Sequence, residues 1–197
     1  MPRVVDHEER RRQIATAVSD IAATRGLSDV SFREVAARAG VSVSLVQHYF
    51  GDKANLLMTT LEIQSTTMTA YITERLAGVG PDPEPIDVLR IVARAFLPID
   101  EVSRHSMLVY HGFAAAALTD PALRASEMFT NGRGLIGFFA TQLALIRTDD
   151  AGRHLATADA TGLLSLLLGL SIAVLLEQTT ADEAIAVLDA HLDRLTN

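Results

Sequence analysis

The stretch Val30–Lys53, VSFREVAARAGVSVSLVQHYFGDK, leaves the chain few options, because it writes two short helices around one glycine turn. Ser31 and Glu34 have the S-x-x-E spacing of a capping box, which predicts a helix starting at Ser31. Phe32, Val35, Ala36 and Ala39 recur at helical spacing and give that helix one apolar face. Gly40 follows, where a chain reversing direction needs a residue that tolerates positive φ. Ser42 can cap a second helix, with Val46 and Phe50 inward and Ser44, Gln47 and His48 outward. Small Ala36, turning Gly40 and branched Val46 together let two helices cross closely. That arrangement is a helix-turn-helix, whose second helix enters the DNA major groove. An ordinary hairpin of core helices is the competing reading. It leaves unexplained the hydrogen-bonding groups on the outer face of the second helix, which are what base edges require.

The same residues resemble the tetracycline-repressor (TetR) family of bacterial regulators. The phrase that carries the likeness is Ala39-Gly40-Val41-Ser42 followed by Tyr49-Phe50-Gly51-Asp52-Lys53, within the first quarter of the chain. Further on, HGFAAAALTDPAL is similar to the C-terminal domain of choline-responsive repressors of that family. The resemblance implies an N-terminal helix packed on the helix-turn-helix, a larger helical sensing domain and a homodimer.

Charge fits a DNA-binding role only when it is divided along the sequence. The whole chain of 197 residues carries −7. Residues 1–53 hold eight Lys/Arg against seven Asp/Glu, so they carry +1 and the remainder carries −8. Arg10, Arg11 and Arg12 stand together, and Lys53 is the chain's only lysine. Phosphate attraction needs a local basic surface rather than a basic protein. With no cysteine, thiolate metal sites, disulfides and cysteine nucleophiles are excluded. Met1–Arg12 is polar rather than apolar, so no signal peptide is expected and the chain reads as cytoplasmic.

The pattern predicts an all-α protein in two domains: a three-helix helix-turn-helix unit over 1–53 and a larger ligand-binding and dimerisation domain over 54–197. Asp6 with Glu9 repeats the capping spacing, and Ile14, Val18, Ile21 and Ala22 form the stripe of a first helix stopped by Gly26. A helix is expected from Lys53 to about Leu76, then a break at GVGPDPEP, residues 78–85. Further helices are expected at Ile86–Leu97, Glu101–Leu118 and Pro121–Ile146. The apolar run Gly162–Leu176 falls short of the roughly 20 residues of a membrane span and lacks basic anchors. Ser165, Gly169 and Ala173 instead make a face of small residues suited to close helix packing. The last helix begins at another capping box, Thr180 with Glu183, and shows the stripe Ile185, Leu188, Leu192 and Leu195. Two such adjacent helices are what a symmetric dimer would bury as a four-helix bundle.

For DNA, Gln47 is the first choice for base reading, since glutamine pairs with adenine through two hydrogen bonds. Val43 and Leu45 can touch thymine methyl groups, and Ser42, Ser44 and His48 complete the outward set. Arg33, Tyr49 and Lys53 are assigned to phosphates, which set register rather than sequence. TetR members often carry tyrosine where Gln47 stands, so operator assignments do not transfer. For a ligand, Phe96, Met107, Tyr110, His111, Met128, Asn131 and Phe138 are candidate lining in an otherwise apolar domain. No Trp and only three Tyr are available to cage a quaternary ammonium, so choline is not expected. Gly132, Gly134 and Gly137 spell G-x-G-x-x-G, but no strand precedes them, and the dinucleotide reading needs a βαβ unit. No catalytic residues, metal site or cofactor are expected. The function expected is a dimeric regulator that binds a palindromic DNA operator, as a repressor released by a small, largely hydrophobic effector. Two alternatives compete: a regulator without a ligand or controlled by a protein, and a helical enzyme or structural protein keeping the motif as scaffold.

Overall fold

The structure is a computed structural model that describes residues 7–130, 132–147 and 150–196. Asp6 of the first expected cap and Asn131 of the expected ligand lining lie outside them. Helix is the only regular structure among the described residues apart from a short 3₁₀ turn, Leu27–Asp29, which makes the fold all-α. The order is α1 (His7–Arg25), α2 (Phe32–Ala39), α3 (Val43–Phe50), α4 (Lys53–Ala77), α5 (Pro85–Arg94), α6 (Glu101–Ala117), α7 (Pro121–Arg124), α8 (Glu127–Thr130), α9 (Gly132–Ile146), α10 (Asp150–Leu175) and α11 (Ala181–Thr196). Two compact units result, one from the chain up to Thr67 with Leu108–Phe129, the other from Met68–Met107 with the chain from Thr130 on.

The first unit closes around Ile14, Val18 and Ile21 of α1, Val35 and Ala36 of α2, and Val46 and Phe50 of α3. Leu56 and Leu61 of α4 join them, as do Val109 and Phe113 from the second half of α6. Burying a leucine or phenylalanine side chain stabilises by about 1.5–3 kcal/mol, so this shared core fixes the helix crossings. Polar links sit at its margin. Arg38 of α2 reaches the Asp20 carboxylate at 2.7 Å, and Arg25 reaches Glu34 at 2.6 Å. The Gln13 amide donates to the Ala39 carbonyl at 2.8 Å, supplying a partner at the end of α2.

The second unit packs α5, α9, α10 and α11 around Leu89, Phe139, Leu143, Leu163, Leu167, Leu188 and Leu192, all fully buried. Ala156, Ala160, Leu163, Leu167, Ser171 and Val174 form the buried stripe of α10. That helix contains a segment, His154–Leu175, long and apolar enough to cross a membrane by length and composition, but its inward stripe belongs to this core. Arg94 of α5 pairs with Asp189 of α11 at 2.6 Å, and Arg147 ties the end of α9 to Asp159 at 2.6 Å and to the Leu195 carbonyl at 3.0 Å.

Two expectations need correction. The continuous helix over Pro121–Ile146 is interrupted at Ala125-Ser126, between α7 and α8. Helical periodicity does not register that gap because only two residues separate α7 from α8. The stripe of α11 is also not a subunit face in its central part, since Leu188 and Leu192 are fully buried within the second unit. The free apolar side is the other one, with Ile172 and Leu176 exposed at the end of α10 and Val187 on α11.

Candidate nucleic-acid interface

The recognition element is built by three local devices. Ser31 caps α2 through its hydroxyl, which accepts from the Glu34 N–H at 3.3 Å. The reciprocal half of that box is missing, because the Glu34 carboxylate turns to Arg25. Gly40 then takes φ 66° and ψ 35°, the left-handed conformation that an α-helix C-terminus favours and a Cβ opposes. Its neighbour Val41 donates to the Ala36 carbonyl at 3.0 Å. The Ser42 hydroxyl caps α3, accepting from the Leu45 N–H at 3.2 Å and lying 3.0 Å from the Ser44 hydroxyl.

On α3, Val46 is fully buried and Phe50 is 2% exposed, so the helix cannot rotate without opening the core. The opposite face then follows from geometry. Ser42, Val43, Ser44, Gln47 and His48 are exposed, while Leu45 and Tyr49 are half-buried. A capped helix with an amide, an imidazole, a hydroxyl and an apolar Val43 side by side can read base edges. Arg33 in the first turn of α2 and Lys53 at the start of α4 are exposed as well. Neither forms an ion pair among the described residues, so both charges are available to phosphate.

A second glycine sets the step from α3 to α4. Gly51 has φ 71° and ψ −66°, and the Asp52 N–H donates back to the Phe50 carbonyl at 2.8 Å, a three-residue γ-turn. Asn55 locks it, its N–H donating to Asp52 Oδ1 and its amide to the Phe50 carbonyl, both at 2.8 Å.

Two residues of this surface have roles that the sequence pattern does not reveal. The basic run is not three equivalent phosphate contacts, because the Arg11 guanidinium lies 5.3 Å over the Phe50 ring and donates to Thr59 at 3.3 Å. Its charge is held against the underside of the motif. His7 comes within 3.0 Å of the Tyr49 hydroxyl. Both contacts join residues about forty positions apart, and no periodicity signals them.

The expected ligand-lining residues fall in both units. Tyr110, His111 and Met128 belong to the first, where the Tyr110 ring stands 5.4 Å from His111 and 5.9 Å from Phe129. Burial pushes the Tyr110 hydroxyl pKa up and the His111 imidazole pKa down, since both charged forms lose water. Phe96, Met107 and Phe138 belong to the second unit, with Met107 2% exposed and the two phenylalanines partly buried on the core. An open cleft of about 430 Å³ at the α10–α11 turn is lined by other residues, among them Pro98, Arg104, Glu177 and Glu183. Gly132, Gly134 and Gly137 lie in the first turns of α9 with no strand before them among the described residues, which removes the dinucleotide reading.

Known proteins agree with this geometry. Residues 15–58 match the family described as bacterial regulatory proteins, tetR family, and residues 85–197 match BetI-type transcriptional repressor, C-terminal. A curated relative from Paraburkholderia phymatum, HTH-type transcriptional regulator BetI, is 31% identical over 86% of this chain and 83% of its own. A transcriptional regulator from Rhodococcus sp. Rha1 superposes with a TM-score of 0.81 at 27% identity, covering 94% of this chain and 95% of that one. A regulator from Saccharomonospora viridis, crystallised in complex with choline, shares the fold with a TM-score of 0.79 at 19% identity, covering 94% and 96%. The chain belongs to the TetR family of DNA-binding transcriptional regulators, with a C-terminal region of the BetI repressor type.

Proposed function

We propose that the protein is a homodimeric repressor that grips a palindromic operator with two copies of α3 and lets go when a small molecule binds. Residues 1–53 act as the DNA-binding domain, and residues 54–197 bind the ligand and dimerise. The observation that carries the reading is the outward face of α3, where Val43, Ser44, Gln47 and His48 are exposed on a helix anchored by Val46 and Phe50. Gln47 reads a base, while Arg33, Tyr49 and Lys53 hold phosphates. Dimerisation is supported by the uncovered side of α10 and α11. Ser165 and Gly169 are exposed there, a Cβ on Gly169 would meet nothing within 4 Å, and Ile172, Leu176 and Val187 expose apolar surface.

Release follows as a population shift: the ligand favours a spacing of the two recognition helices that no longer matches successive major grooves. The ligand is small and largely hydrophobic with one or two polar ends, in keeping with Tyr110 and His111 among apolar neighbours. A second reading, a quaternary ammonium, is favoured by the paired Tyr110 and Phe129 rings and by the choline bound in the Saccharomonospora protein. Operator binding in a thermal-shift-guided ligand screen tests both. An effector raises the melting temperature and lowers DNA affinity, as linkage requires. Choline doing both selects the ammonium, whereas hits that never change DNA affinity support a regulator that works without a ligand.

A further inference from the structure

We infer that Gln13, outside the helix-turn-helix, is a positioning residue for base reading: its amide holds the backbone of α2 at the last residue before the Gly40 turn, and Arg10 holds the amide. The inference rests on the reading of α3 as the helix that meets base edges. Gln13 Nε2 donates to the Ala39 carbonyl at 2.8 Å, and Gln13 Oε1 accepts from Arg10 Nη1 at 2.6 Å. Those partners fix which end of the amide is which, because a carbonyl only accepts and a guanidinium only donates.

A carbonyl at the C-terminal end of an α-helix has no intrahelical donor. The turn supplies two replacements, the Gly40 N–H to Ala37 at 3.3 Å and the Val41 N–H to Ala36 at 3.0 Å. Among the described residues no backbone N–H reaches the Ala39 carbonyl, and Ala39 is only 9% exposed. Gln13 fills that gap from α1. Its own place is set by the next residue, since Ile14 is fully buried in the first core. The exposed pairs Arg25–Glu34 and Arg38–Asp20 also join α1 to α2, but they link side chain to side chain, and flexible surface pairs constrain little. Gln13 grips the main chain itself, one residue before the φ of 66° that turns it into α3. The Arg10 charge polarises the amide and strengthens that grip.

Base reading and phosphate attraction depend on that grip to different degrees. A base edge is read through hydrogen bonds that weaken outside about 2.7–3.2 Å, so a small tilt of α3 costs Gln47 its partner. Phosphate attraction is long-ranged and independent of sequence, and Arg33 and Lys53 keep it when α3 tilts. Loss of the Gln13 donor therefore lowers discrimination between operator and other DNA while general DNA affinity stays in place. A residue that served folding alone would change the folded fraction and leave the discrimination of the folded protein as it was. The arginine run then divides its labour, with Arg10 acting through Gln13 and Arg11 lying over the Phe50 ring.

The test compares the full-length protein with its Gln13→Met variant, which keeps the length and helix propensity of the side chain but has no N–H to donate. Fluorescence anisotropy gives the affinity for a duplex from the DNA flanking the protein's own gene and for a scrambled duplex of equal length. Gln13→Met should lower the ratio of the two affinities roughly three- to tenfold, the range of one hydrogen bond, with the scrambled-duplex affinity unchanged. In nitrogen–proton correlation spectra of the free protein the Gly40 amide signal should shift, while helix content by circular dichroism stays the same. Arg10→Gln should lower the ratio as well, and in a Gln13→Met background it should change the ratio no further. An affinity ratio unmoved by Gln13→Met would overturn the inference, as would a lower ratio with the Gly40 signal still in place. Arg10→Gln lowering the ratio equally in both backgrounds would overturn the pairing of Arg10 with Gln13. Wild type that binds both duplexes alike would instead overturn the base-reading role of α3, and this inference with it.

Discussion

Alanine at Gly40 and at Gly51 probes the two turns that aim α3, and the structure sets different costs for them. A Cβ at either position meets nothing within 4 Å, so neither substitution clashes and the whole effect is backbone conformation. Gly40 lies at φ 66°, ψ 35°, where an L residue costs about 1–2 kcal/mol. Alanine also narrows the unfolded ensemble, which returns about 0.4–1 kcal/mol. The net loss for Gly40→Ala is therefore about 1 kcal/mol. Asparagine tolerates this region, so Gly40→Asn should lose only a few tenths. Gly51 lies at φ 71°, ψ −66°, a γ-turn strained for any side chain, and Gly51→Ala should cost about 2–3 kcal/mol. Thermal unfolding by circular dichroism reads both, with about 2–4 °C expected per kcal/mol in a chain of this size. The order expected, from mildest to worst, is Gly40→Asn, then Gly40→Ala, then Gly51→Ala. If Gly40→Asn were as damaging as Gly40→Ala, or Gly51→Ala no worse than Gly40→Ala, the reasoning from φ and ψ would be refuted.

Gln47→Ala should relax preference at one base pair by about 1–3 kcal/mol in a randomised operator library, while Arg33→Ala or Lys53→Ala should weaken binding to all sequences and flatten its salt dependence. Gly169→Leu fills space that is open in the single chain, so it should leave monomer stability nearly intact yet lower dimerisation in sedimentation and with it operator affinity. Burial and donation to Asp100 push the Tyr71 hydroxyl up to about 12 from the ordinary 10.0. Stability from that contact is complete below the ordinary value and lost as pH rises through the folded one; Tyr71→Phe should remove the step at about 12 from the tyrosinate absorbance titration and that alkaline fall in melting temperature.

The recognition motif was legible because its signals are local. Ser31, Gly40 and Ser42 act within four residues of where they stand, and the helix expected from Lys53 to about Leu76 is found as Lys53–Ala77. The box at Thr180 closes fully, with the Thr180 N–H reaching Glu183 at 2.8 Å and the Glu183 N–H returning to Thr180 at 3.2 Å. Tertiary partners were less legible. Nothing in α6 distinguishes Val109 and Phe113, which enter the first core, from neighbours that do not, because periodicity names a buried face and not what covers it. For the same reason Leu188 and Leu192 gave a correct stripe and a wrong neighbour. The place of Arg11 was not legible either, since a long side chain can carry its charge back over an apolar ring.

The central claim is that α3 meets DNA with a free polar face and two uncommitted cations, Arg33 and Lys53, beside it. Its most direct test is anisotropy titration of a palindromic duplex from the DNA flanking the gene, repeated over a series of salt concentrations with nonspecific competitor present. The account predicts two protomers per duplex, saturable binding that survives competitor, and affinity falling with salt by a log–log slope of about −0.9 for each phosphate neutralised. Binding that competitor abolishes, or affinity indifferent to salt, would contradict it.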